Sequence, residues 1–129
     1  MSAARDVVDE AYALAKKSQH RQLRMLIADD ATWEPTAKRK WRACENADEI
    51  VRALLWRAGK ANNMRPGETI ELGKYVIFRV RGRRLERLGA KGFWAPKIFQ
   101  VIEVKDGKIA HMHDYGTMQE ALAATGHDS

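Results

Sequence analysis

The chain has 129 residues, 45% of them hydrophobic, which allows one domain with a real core and is short for two. It has no apolar run of about 18 residues and opens on the charged stretch "MSAARDVVDEAY", so neither a membrane span nor a secretory signal is readable and a cytoplasmic protein is expected. The lone Cys44 excludes an internal disulfide and a cysteine-based zinc site, while 23 Lys and Arg against 17 Asp and Glu, a net charge of +6, raise the question of an anionic partner.

Over residues 4 to 18, Val8, Ala11, Tyr12 and Ala15 fall on one helical stripe, with Arg5, Asp9, Lys16 and Lys17 left for water. A shorter helix is expected over "RQLRMLIA", where Leu23, Leu26 and Ile27 share a face before Asp29 and Asp30 break the pattern. "ATWEP" then reads as a short strand stopped by Pro35. A third helix opens at Asn46, with Glu49 at capping-box spacing. Its buried face should hold Ile50, Val51, Leu54, Leu55 and Ala58, with Gly59 as a left-handed stop and Trp56 on the outer side.

Beyond the polar stretch "NNMRPGE", "TIELGKYVIFRVR" and "PKIFQVIEV" read as long strands, and Asp106-Gly107 joins the second to "KIAHMHDY" as a hairpin. Thr117 and Glu120 repeat the capping box ahead of a short helix, "MQEALAAT", which Gly126 can close; residues 126–129 are expected as a loose tail on a single domain spanning 1–129. Helices first and strands later predict an α+β fold with the sheet curled over the helices.

A two-residue turn at Asp106-Gly107 pairs Lys105 with Lys108, Val104 with Ile109, Val101 with Met112 and Phe99 with Asp114. Phe99, Val101, Ala110, Met112 and Asp114 then share one face, and Gln100, Ile102, Ile109, His111, His113 and Tyr115 the other. The first face is largely apolar and should turn to the helices. A carboxylate placed there must be hydrogen-bonded, charge-paired or protonated, a setting in which catalytic carboxylates are commonly prepared; the competing reading is a strand-end Asp capping the turn into Thr117.

His111 and His113, two apart on one strand, have a spacing at which two imidazoles can reach one metal. A site needs a third ligand, and His20 and His127 lie elsewhere while Asp114 points to the opposite face. No metal and no cofactor are expected, and the two histidines are assigned to solvent or a subunit interface.

The order of elements, with "ADDATWEP" after the second helix, "ENADEIVRALL" as the third and "VIEVKDGKIAHMHDY" as the last hairpin, resembles the nuclear transport factor 2-like superfamily in its SnoaL-like branch, over nearly the whole chain. The resemblance implies a cone-shaped fold in which a curved, mostly antiparallel sheet wraps three helices, with a short helix at the C-terminus, a pocket at the wide end and frequent homodimers. Its members include polyketide cyclases, steroid isomerases, epoxide hydrolases, dehydratases and non-enzymatic binders. In the limonene epoxide hydrolases the hairpin ends in Asp-Tyr, as Asp114-Tyr115 does, and the Asp works with an Arg-x-Asp pair on an earlier strand. The comparable stretch here is "FRVRGRR", where Arg79 stands for the arginine and Arg81 replaces the second carboxylate. Trp33 matches the aromatic that commonly lines the pocket, and Tyr12 faces the cavity in many relatives, although both also read as core aromatics.

Trp94, in the long loop "LERLGAKGFWAP", suits a pocket lid or an interface. The basic run from Arg79 to Arg87 comes with no nucleic-acid motif and is interspersed with acids, which weighs against nucleic acid. An arginine at a cavity mouth suits an anionic small ligand better. The expected protein is thus a SnoaL-like pocket protein, an isomerase, cyclase or hydrolase acting on a small organic molecule, neutral or anionic. Asp114 is its expected acid or base, Tyr12 or Arg79 stabilise negative charge, and Trp33, Phe99, Val101, Met112 and Trp94 line the ligand site. The alternative is a non-catalytic ligand-binding or assembly module of the same fold, dimeric through the outer face of its sheet.

Overall fold

The apolar stripe of the first helix, α1 (Ala4–Lys16), buries Val7, Val8, Ala11, Tyr12 and Ala15 in the computed structural model, which describes residues 4–35, 43–60, 62–82 and 97–126. A short α2 (His20–Met25) follows and buries Leu23. The helix α3 (Ala47–Ala58) is capped as its sequence requires: the Asn46 side chain accepts from the Glu49 amide at 3.0 Å, and the Glu49 carboxylate reaches back to the Glu45 amide at 3.1 Å. A last helix, α4 (Met118–Ala124), is capped by Thr117, which accepts from the Glu120 amide. Trp56 is on the outer side of α3, exposed.

Among the described residues five strands form one sheet: β1 (Ile27–Glu34), β2 (Arg65–Leu72), β3 (Tyr75–Arg81), β4 (Phe99–Lys105) and β5 (Lys108–Tyr115), in the order β1-β5-β4-β3-β2. All neighbours are antiparallel except β1 and β5, which run parallel. The helices α1, α2 and α3 cover one face, where Ile27, Trp33, Val76, Phe78, Ile102, Ile109 and Met112 join their buried residues in the main core. Burying each such side chain contributes about 1.5–3 kcal/mol. The fold is α+β, with a curved sheet that does not close on itself. Among the described residues no helix is long and apolar enough to cross a membrane.

Four sequence expectations are corrected. The first strand starts at Ile27 rather than Ala31, because the Ile109 amide donates to the Leu26 carbonyl at 2.7 Å and starts the parallel ladder there, so Leu26 and Ile27 leave the helix. Asp29 and Asp30 lie within β1 with their side chains in water, and Asp29 is held by Arg24 at 2.7 Å. "TIELGKYVIFRVR" folds as a hairpin rather than one strand: Leu72 pairs with Tyr75 around Gly73-Lys74, with Gly73 at φ 62, the position that a tight two-residue turn reserves for glycine. Gly59 is extended rather than left-handed, at φ −64 and ψ 170, and its lack of a side chain serves close packing, since a Cβ there would lie 2.8 Å from the Leu55 carbonyl oxygen.

The fourth correction concerns register. Lys105 pairs with Lys108 and Val104 with Ile109 as the turn dictates, but an irregularity between Glu103 and Val104 leaves Ala110 as an extra residue on β5. Beyond it Ile102 pairs with Met112, Gln100 with Asp114 and Phe99 with Tyr115. A bulge of one residue exchanges which residues of the partner strand share a face. Asp114 keeps its inward direction, set by Met112 two residues before it; its neighbours on β4 become Gln100 and Ile102, and Phe99 and Val101 move to the opposite face.

On that outer face α4 covers part of the sheet, packing Ala121, Met118 and Leu122 against Ile77, Val101, Phe99, Tyr75 and Tyr115.

Candidate functional site

Asp114 is 1% exposed and lies deep on the inner face of β5. Three elements converge on it. Trp33 on β1 donates its indole Nε1 to Oδ1 at 3.1 Å, Gln100 on β4 donates Nε2 to the same oxygen at 2.8 Å, and Arg57 on α3 brings a guanidinium nitrogen to 3.1 Å from Oδ2. Burying a carboxylate costs several kcal/mol unless it is paired and hydrogen-bonded; here both compensations are present. Oδ1 accepts from two donors, whereas among the described residues Oδ2 has its ionic contact and no hydrogen bond.

Arg57 is itself buried, and its guanidinium carbon lies 4.2 Å above the centre of the Trp33 ring. The indole therefore donates through its edge to the anion and offers its face to the cation, a cation–π contact of about 2 kcal/mol when desolvated. Gln100 is fully buried and uses both ends of its amide, for Tyr12 Oη donates to its Oε1 at 2.7 Å. An ionised carboxylate only accepts, so the Gln100 amino group must face Asp114, its carbonyl must face Tyr12, and the phenol proton is committed to that carbonyl. Burial pushes the Tyr12 phenol well above its ordinary range; Arg57 opposes the shift and Asp114 adds to it. Tyr12 also meets Phe78 edge-on, with ring centres 5.6 Å apart.

Of the residues singled out in the sequence, Asp114, Tyr12 and Trp33 come together, and Met112 is buried in the same core. Arg79 does not join them: on β3 it pairs with Phe99 of β4, and the alternation of β3 places it with Ile77 on the outer face, opposite Phe78. Phe99 and Val101 pack under α4 on that outer face and line nothing near Asp114. Trp94 and residues 83–87 of the basic run are outside the described residues.

Arg57 and Gln100 were missed, and both had a signal. Arg57 follows Ile50 by seven residues and Leu54 by three, on the buried stripe of α3. Gln100 stands on the same strand face as Ile102, so a polar side chain was bound to be inside wherever Ile102 was.

His111 and His113 lie on the outer face, where Glu34 joins them: its Oε2 is 2.9 Å from His113 Nδ1 and 3.9 Å from His111 Nε2. A cleft of about 480 Å³ at the β4–β5 turn, bordered by Asp30, Glu103, Lys105 and Lys108, lies at the other end of β5 from Asp114.

No family model and no curated protein matches the sequence. Solved structures do resemble it. A nuclear transport factor 2-like protein of unknown function from Cytophaga hutchinsonii superposes with a TM-score of 0.64 at 10% identity, over 95% of this chain and 96% of that one. A candidate polyketide cyclase from Sinorhizobium meliloti gives 0.59 at 21% identity, over 84% and 93%. An epoxide hydrolase of the limonene epoxide hydrolase type from M. tuberculosis gives 0.55 at 13% identity, over 91% and 87%. At these identities the likeness defines the architecture. The chain has the nuclear transport factor 2-like fold.

Proposed function

We propose that the chain is a SnoaL-like pocket protein acting on a small organic molecule, with Asp114 moving a proton as acid or base. The observation that carries this reading is the asymmetry of the buried carboxylate: Oδ1 accepts from both Trp33 and Gln100, while among the described residues Oδ2 has the Arg57 guanidinium 3.1 Å away and no hydrogen bond. A substrate O–H or acidic C–H brought to Oδ2 would meet a carboxylate already held in position, and Arg57 would stabilise negative charge developing beside it. In this role Arg57 takes the place expected for Arg79. Tyr12 acts through Gln100, fixing the amide that orients Asp114. An anionic substrate fits a site that already holds an arginine. The similar structures include a candidate cyclase and a hydrolase, which makes an isomerase, cyclase or hydrolase reaction the class to screen first.

A second reading is favoured by the closure of the network. Tyr12, Gln100, Trp33 and Arg57 bind one another and Asp114 at 1% exposure, as a structural polar core would in a non-catalytic binder, dimeric through the uncovered part of the outer sheet face. Native mass spectrometry of the purified chain, followed by a substrate screen, separates the two. If Asp114 is the acid or base, Asp114→Asn lowers turnover by about 10²-fold or more while binding survives; turnover equal to wild type assigns Asp114 to structure alone.

A further inference from the structure

We infer that Glu34, His111 and His113 form a binding site for a zinc-class divalent cation on the outer face of the sheet. The parallel pairing of β1 with β5 creates it: Thr32 lies beside His111 and Glu34 beside His113, so a carboxylate from one strand stands against two imidazoles from the next. One ligand atom from each of the three side chains lies within 4.8 Å of the other two. Tetrahedral bonds of about 2.0–2.2 Å separate ligand atoms by roughly 3.3–3.6 Å, so side-chain rotation of about an ångström closes the set. Two imidazoles and a carboxylate are the donors that zinc and its first-row neighbours prefer over magnesium or calcium.

The surroundings support ligation. His111 Nδ1 lies 2.8 Å from Thr32 Oγ1; with the proton on Nδ1, the ring donates to the hydroxyl and leaves the Nε2 lone pair directed at Glu34. A hydrogen bond on the far nitrogen that fixes tautomer and ring angle is the usual outer support of a metal-binding histidine. The His113 ring is stacked on Tyr115, with centres 4.1 Å apart and planes 11° from parallel, which holds Nδ1 toward Glu34. The Glu34 side chain is 55% exposed, His111 39% and His113 27%, so an ion can enter from solvent and keep water as its fourth ligand. The site lies across the sheet from Asp114 and does not depend on its chemistry.

The test is titration of the untagged full chain with Zn2+ against a chromophoric chelator, with Co2+ as a visible probe of coordination number. One ion per chain is expected, with Kd below about 10 µM. Each of Glu34→Gln, His111→Gln and His113→Gln should weaken binding by at least about 10-fold, and His20→Gln should leave it unchanged. Thr32→Val should weaken it by about 10–100-fold at unaltered stoichiometry, with recovery in Thr32→Ser; this separates a positioning hydroxyl from general loss of structure, which circular dichroism of the metal-free variants checks independently. Absence of binding, binding indifferent to the three ligand variants, or one ion per two chains would each overturn the assignment.

Discussion

Trp33 donates its indole N–H to Asp114 Oδ1 at 3.1 Å across the parallel junction of β1 and β5, while its ring face carries the Arg57 guanidinium that neutralises the same carboxylate. One aromatic thus holds both members of a buried ion pair, and the pair ties α3 to the sheet.

Breaking that pair from either side takes from a buried charge an ion-pair contact made at 3.1 Å. Arg57→Met and Asp114→Leu should each lower stability by about 3–5 kcal/mol in urea unfolding, and the double variant should be more stable than the sum of the two losses implies. Additive losses would mean that the two groups do not interact.

Tyr12 sets the alkaline limit. Its folded-state pKa is raised above the ordinary 10.0, so above that pH the unfolded chain releases the phenol proton while the folded chain retains it. Stability from this group is complete below pH 10 and declines above it by up to about 1.4 kcal/mol per pH unit. In Tyr12→Phe the alkaline fall should be shallower, at the cost of the bond to Gln100, as denaturation series between pH 8 and 11 would read.

Glu103 contributes at the acid end. The Lys74 ammonium, 3.0 Å away, lowers its pKa, so its contribution is present above the ordinary carboxylate range and fades as pH falls through the lowered value. Because Lys74 is half exposed and the pair is screened by solvent, Lys74→Ala should lower stability only slightly at neutral pH, and less still in acid or high salt. Thermal melts over a pH and salt series measure this.

Gly73 occupies a left-handed position at the β2–β3 turn with nothing within 4 Å of a added Cβ. Gly73→Ala should therefore lower stability by about 1–2 kcal/mol through backbone strain alone. An unchanged melting temperature would show that the turn adopts another conformation.

Much of the architecture was legible locally. The Asn46–Glu49 and Thr117–Glu120 caps, the α1 stripe and the Asp106-Gly107 turn depend on residues a few positions apart, and each is found where periodicity and capping chemistry put it. Gly73-Lys74 was overlooked because "TIELGKYVIFRVR" keeps its strand-like composition through the turn. The direction of Asp114 was also local, since alternation along β5 ties it to Met112 whatever lies opposite.

Its partners were not. A bulge at Ala110 exchanged Phe99 for Gln100 as the neighbour of Asp114, and the packing of α3 on the sheet supplied Arg57 where Arg79 was expected. The parallel seating of β1 brought Glu34 to two histidines that, in sequence, lacked a third ligand. Helix and turn formation is governed by neighbours along the chain, so the elements and the inward carboxylate could be read from local pattern alone. Register between strands and the choice of facing helix depend on contacts between residues far apart, where a shift of one position reverses a face, so what surrounds each ionisable group emerges only once the chain is folded.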